Sequence, residues 1–396
     1  MTSHLLVIGP PRCWWRKRNI QNLRQNRIKV ELLGIFNLRL GLVMQFSTAD
    51  QQRLPGVQVA RAIAALSVAY FHSYIALRAL PEAAQIPIPP LKQWGYLGVN
   101  LFFAISGYVI CLVAAKPSFS TLPFAIKRVF RLYPIYWVAM ACIVGLIAIG
   151  KYRQEPIGHF LYSMTLLPQQ GAPAYDLSWT LEREMVFYAT AALVVPIAGI
   201  RGLALVMASL ATAGWYFKNP WSYHLISTTQ ADFLAGIVVF LLGTHARFLG
   251  AIIPLVSGVA LLVFTHASPN VVHIPLSMGI ILLGMVHLQL PWDRWPLRWM
   301  VAMGDASYSI YLLHYIVFIG SVYLCVAVAP PNWMCEPWRF ATLAASAIIS
   351  ILTWRIIERP MIGVGNRLAA VAARWQSASS PMSPREQSAA VRLPNQ

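Results

Sequence analysis

Two ionisable side chains interrupt an otherwise apolar stretch, VQVARAIAALSVAYFHSYIAL, at positions 57 to 77: Arg61 and His72. About 20 apolar residues suffice to cross a bilayer as a helix, so this stretch reads as the first membrane span. An ionisable group inside a span costs about 3 kcal/mol and persists where it faces protein or water, which makes both residues candidates for chemistry. Their separation of eleven positions, at about 100° each, is three turns plus about 20°, so both project from one face with about 16 Å of rise between them. A guanidinium pairs well with phosphate, and an imidazole titrates close to working pH, so it can move a proton.

Other candidates lie further along. In FAIKRVFRLYPIYW, Arg128 and Arg131 are three apart and share a helix face; they read either as charge anchors at the membrane surface or as a phosphate-binding pair. In LSWTLEREMVFY, positions 177 to 188, Glu184 and Tyr188 are four apart, while Glu182 suits the positive end of a helix dipole. Glu184 lies deeper and is the better candidate for function. In GDASYSIYLLHYIVF, Ser307, Tyr311 and His314 form one stripe, with His314 either bonded to a neighbouring hydroxyl or a secondary site residue. The stretch WGYLGVNLFFAISGYVICLV holds Gly95, Gly98 and Gly107, which favour close helix packing, and leaves Asn100 and Ser106 as candidates to line a cavity. Arg355, Glu358 and Arg359, in WRIIERPMI, read as a structural charge cluster at the interface.

The elements that must position these residues are helices in a membrane. The 396 residues are 58% hydrophobic and 11% charged, against about 25% charged in a soluble domain. The expected fold class is all-α, a polytopic membrane bundle with about ten transmembrane helices. The apolar segments are 57–79, 94–115, 132–150, 179–199, 202–217, 231–247, 249–266, 271–289, 306–329 and 338–362. The formal net charge of +18, from 31 Lys and Arg against 13 Asp and Glu, suggests nucleic acid at first sight. The basic residues fall between spans, however, and membrane topology explains them without a nucleic-acid partner.

Lys and Arg concentrate before position 54, at 116–131, at 201, 247, 294 and 298, and beyond 354, whereas fewer lie on the alternate side: Arg78, Lys92, Lys151, Arg153, Lys218 and Arg339. By the positive-inside rule both termini are cytoplasmic. Residues 1–53 read as a basic, disordered tail or an over-extended start with Met44 as the first residue, and 54–362 as the membrane domain. Residues 363–396, rich in Ala, Ser and Pro, read as a disordered tail with at most one short interfacial helix. The five cysteines are scattered and odd in number, with no CxxC pair or Cys/His spacing, so neither a disulfide framework nor a metal site is expected.

In order along the chain, GVQVARAIAALSVAYFH, GYLGVNLFFAISGYV, RVFRLYPIYW, SWTLEREMVFY, GDASYSIYLLH and ERP resemble the integral-membrane acyltransferase 3 family, particularly its branch associated with exopolysaccharide O-acetylation. The resemblance covers residues 54 to 362; each motif is weak alone and the ordered set is specific. It departs at Gln58 and Met185, where acidic residues are usual. It implies a multi-pass enzyme of the bacterial cytoplasmic (inner) membrane that moves an acyl group, usually acetyl from acetyl-CoA, to a sugar hydroxyl of a cell-envelope or secreted glycan. By motif position it makes Arg61 and His72 essential, Arg128 and Arg131 the cytoplasmic arginine pair, and Glu184 a site residue.

The expected partners are therefore acyl-CoA, a glycan or lipid-linked sugar, and the lipid bilayer, with no permanently bound cofactor. Phosphates would meet Arg128, Arg131 and Arg61, and His72 would act as general base or transient acyl carrier. Glu184 would orient the acceptor or the histidine, with His314 and Tyr311 in support. The rival reading is a proton-coupled transporter of a glycan or lipid-linked sugar, because buried Arg, His and Glu also suit a proton relay.

Overall fold

The computed structural model describes residues 54–217, 225–243, 245–265 and 272–379. The basic segment before position 54 lies outside the described residues, as does 380–396. Among the described residues every regular element is helical. The α-helices are α1 (Pro55–His72), α2 (Pro89–Trp94), α3 (Gly98–Ala114), α4 (Thr121–Ala148), α5 (Ile157–Ser163), α6 (Trp179–Phe217) and α7 (Gln230–Leu242). They continue with α8 (Ile252–Phe264), α9 (His273–His287), α10 (Leu297–Asp305), α11 (Ser307–Val328), α12 (Cys335–Thr353) and α13 (Arg359–Ser379).

Six helical units are long and apolar enough to cross a membrane: Pro55–Leu77, Pro89–Ala114, Thr121–Ala148, Asp176–Phe217, Ser307–Val328 and Asn332–Gln376. Set against the ten expected spans, the other four apolar segments are accounted for in two ways. Segments 179–199 and 202–217 run head to tail as the two arms of α6, separated at Gly199, whose φ of +65° and ψ of −169° are not helical. That conformation suits glycine because a Cβ would clash there, and Pro196 one turn earlier has no N–H to give to the helix. Secondly, α7, α8 and α9 are apolar but only 13, 13 and 15 residues long, about 20 Å of rise against a hydrocarbon core of about 30 Å.

Two further features are set by packing. Residues 363–379, expected to be tail, continue as helix α13, because one side of that helix packs on α4: a Cβ on Gly365 would lie 2.5 Å from the Phe130 side chain, and Ala369 is buried. Arg339, expected in an external segment, is 3% exposed in the first turns of α12. It is tolerated there because its Nε and Nη2 both donate to Glu336, at 2.9 and 3.1 Å.

The core is set by close approach of α3 and α7. A Cβ on Gly107 would lie 2.1 Å from the Phe233 carbonyl oxygen, and one on Gly236 would lie 1.8 Å from that of Ala104. Bare backbones in contact bring Asn100 and Asp232 within bonding distance, and rings of Phe103, Phe187 and Phe233 stack around the crossing. Gly236→Ala is therefore expected to cost about 1–3 kcal/mol by overpacking and to lower the melting temperature of the purified protein. Gly145→Ala is the control, since nothing lies within 4 Å of its Cβ position; equal melting of the two variants would refute the packing argument.

Candidate active site

His72 is the last residue of α1, and the chain then tightens into a 3-10 turn, Ser73–Leu77. Its Nδ1 lies 3.1 Å from Nε2 of His314 on α11, and the two rings stack with centroids 5.3 Å apart. His314 Nδ1 in turn lies 3.0 Å from the carbonyl oxygen of Ile310. A carbonyl can only accept, so the His314 proton sits on Nδ1. For a neutral pair, His314 Nε2 then accepts from His72 Nδ1–H, which leaves the lone pair of His72 on Nε2. His72 lines a cavity of about 230 Å³ together with Phe71, Tyr96, Asn100, Trp179, Thr229 and Tyr311, among others.

Two anchors fix the end of α1. Buried Arg339 donates through Nη1 to Ser73 Oγ at 3.0 Å and lies over the Tyr70 ring, whose hydroxyl accepts from Ile88 N–H. On another side Tyr315 meets the His72 ring edge-on, with centroids 5.9 Å apart, and donates to Asp176 at 3.1 Å. Arg153 holds Asp176 and Glu155 together, tying the segment before α6 to this end of the bundle.

Arg61 lies in a different cluster. It is within electrostatic reach of Arg131, Glu358, Glu184 and Tyr188. Glu184 accepts from Ser106 Oγ at 2.9 Å and from the Tyr188 hydroxyl. The guanidinium of Arg128 lies over the Phe124 and Tyr188 rings, 5.3 and 5.4 Å from their centroids, and its buried Nε has no hydrogen-bond partner among the described residues. Three arginines and two carboxylates leave this pocket positive, a charge balance suited to an anion such as phosphate. Glu358 and Glu184 offset part of the positive charge around Arg61, while Arg131 adds to it.

The structure thus brings Arg61, Arg128, Arg131, Glu184 and Ser106 to one place and His72, His314, Tyr311 and Asn100 to another. Glu184, expected beside the acceptor or the histidine, belongs with the arginines instead, because its position on α6 faces Ser106 of α3. The His72 cavity does not include Arg61 in its lining. Tyr311 accepts from Thr180 Oγ1 at 2.9 Å and donates to the Leu177 carbonyl, fixing the start of α6.

Glu358 was not separable from its neighbours by sequence: Arg355 and Arg359 are exposed, while Glu358 is 1% exposed and accepts from Ser309 Oγ at 2.6 Å. A wide π-type turn, Trp354–Glu358, rotates it inward, so the three charges do not form one cluster. Asp232, also missed, is 1% exposed on α7 and accepts from Asn100 Nδ2 at 2.9 Å. An aspartate inside an apolar run was the available signal.

The chain is 27% identical over 299 residues to the exopolysaccharide production protein ExoZ of Rhizobium meliloti (strain 1021), covering 68% of this chain and 90% of that protein. It is 26% identical over 322 residues to the putative membrane-bound transacylase BcsY of Komagataeibacter xylinus, covering 72% of this chain and 81% of that protein. No solved structure matches. The sequence model described as an acyltransferase domain matches residues 54–355, the stretch that holds both polar clusters, and the chain belongs to that family, acyltransferase 3, as an enzyme transferring acyl groups other than aminoacyl groups.

Proposed function

We propose that the protein transfers an acyl group, acetyl in the simplest case, from acyl-CoA to a hydroxyl of a cell-envelope or secreted polysaccharide. The carrying observation is that His72 lines a cavity while its Nδ1 meets His314, whose own Nδ1 is held by the Ile310 carbonyl; in a neutral pair this leaves the His72 lone pair on Nε2. The positive cluster of Arg128, Arg131 and Arg61 would hold the donor's phosphates, with the pantetheine arm running toward His72 over about 16 Å of helical rise.

In the reaction, the acceptor hydroxyl gives its proton to His72 Nε2 as its oxygen forms a bond to the acyl carbon and the carbonyl electrons move onto oxygen. Collapse of that intermediate re-forms the carbonyl and breaks the carbon–sulfur bond. The departing thiolate takes the proton back from His72 Nε2, so the enzyme ends unchanged. General-base action is favoured over an acyl-histidine because one proton transfer at Nε2 completes the reaction without a second acyl transfer.

The same reading takes the protein to span the bacterial inner membrane ten times. The bent helix α6 would cross twice, α7, α8 and α9 would form three short crossings, and both termini would be cytoplasmic. The arginine cluster would then face the cytosol and the end of α1 the opposite side.

The test is incubation of purified protein with radiolabelled acetyl-CoA and a cell-envelope glycan fraction. Label on the glycan is expected; absence of transfer with solute flux in vesicles would mean a transporter. In the same preparation Arg128→Ala with Arg131→Ala is expected to weaken acetyl-CoA binding by at least about tenfold, with a smaller effect on acceptor binding. An unchanged acetyl-CoA Kd would remove these arginines from the donor site.

A further inference from the structure

We infer that the cavity beside His72 is the subsite for one uncharged sugar ring of the acceptor, seated on aromatic faces with its hydroxyls on Asn100 and Thr229; this rests on the acyltransferase reading above. At about 230 Å³ the cavity is smaller than the roughly 300–1,000 Å³ of sites for drug-sized ligands, a size suited to a single ring. Five of its lining side chains are aromatic: Phe71, Tyr96, Phe103, Trp179 and Tyr311. A pyranose has an apolar face of polarised C–H bonds, which suits the electron-rich face of such rings.

Among the described residues no Lys, Arg, Asp or Glu lines the cavity. It is therefore not built for the phosphates of a nucleotide donor, which find their positive charge in the arginine cluster. Its polar groups are of the kind that read hydroxyls. Asn100 uses Nδ2 on Asp232, 2.9 Å away, so its amide is held in one orientation and its carbonyl oxygen is not spent in that bond. Thr229, placed just before α7, shares a 2.9 Å contact with Ser227 Oγ. The Arg183 guanidinium over Trp179, 4.7 Å from the ring centroid, fixes the plane of the indole. A ring held among these groups presents a hydroxyl to the side of the cavity where His72 Nε2 carries its lone pair.

The experiment measures initial rates of label transfer from acetyl-CoA to the glycan fraction by the full-length protein in lipid nanodiscs, varying each substrate in turn. Trp179→Ala is expected to raise the acceptor KM by about tenfold or more, and Thr229→Val by about threefold, from loss of a platform and of one hydrogen bond. The acetyl-CoA KM should stay within about twofold, which also reports that the variants are folded, and Trp179→Phe should retain most of the acceptor affinity. A rise in the acetyl-CoA KM with an unchanged acceptor KM would give the cavity to the acyl end of the donor and overturn the inference. Unchanged KM values for both substrates would overturn it as well. If the wild-type protein transfers no label, the acyltransferase reading falls and this inference with it; if it transfers and the acceptor KM of the variants is unmoved, only this inference falls.

Discussion

Replacing His72 by alanine is expected to reduce label transfer to the glycan by about 10³-fold or more, the scale on which a positioned general base contributes. Acetyl-CoA binding should survive, because the arginines proposed to hold its phosphates belong to a separate cluster, about 16 Å of helical rise away along α1. His72→Gln should lose as much, since a carboxamide can donate toward His314 but has no basic nitrogen for the acceptor proton. Melting temperature and helical circular dichroism are the controls, because the end of α1 is also held by the Arg339–Ser73 bond and the Tyr315 contact. Transfer by His72→Ala above one tenth of the wild-type rate would rule out His72 as the base.

The second large effect belongs to His314, which acts through His72 without reaching the cavity lining. Its Nε2 accepts the His72 Nδ1 proton and so keeps the lone pair on the nitrogen that faces the cavity. His314→Ala removes one of two groups that hold the His72 ring, the other being the Val68 backbone, and so loosens the tautomer. The expected loss in kcat is about 10²-fold, equivalent to about 2.7 kcal/mol, with the acceptor KM within about twofold. His314→Gln can present a carbonyl oxygen to Nδ1–H and should recover at least about a tenth of wild-type kcat. A merely structural role predicts a different pattern: lower melting temperature in both variants, both KM values disturbed, and no rescue by glutamine.

The sequence by itself determined the helical class, the positions of the apolar segments and the candidate residues. Each of these is a local property: hydropathy over about 20 residues sets a span, and a charge inside one advertises itself wherever it packs. The eleven-residue spacing of Arg61 and His72 could be turned into a rise because α1 proved continuous from Pro55 to His72. Partners across helices were not legible. That His72 meets His314, 242 positions away, and that Glu184 joins Ser106 and the arginines, depend on how α1, α3, α6 and α11 pack.

The inward turn of Glu358 needed a π-type turn, and the burial of Arg339 needed Glu336 and Ser73 to meet it from two elements. Helix length was not legible for a similar reason, since hydropathy alone does not tell a short apolar helix from a long one. Periodicity fixes which face of a helix a residue occupies. Which other face it meets is fixed by close packing, here by glycines that let α3 and α7 touch backbone to backbone, and that is a property only the folded chain possesses.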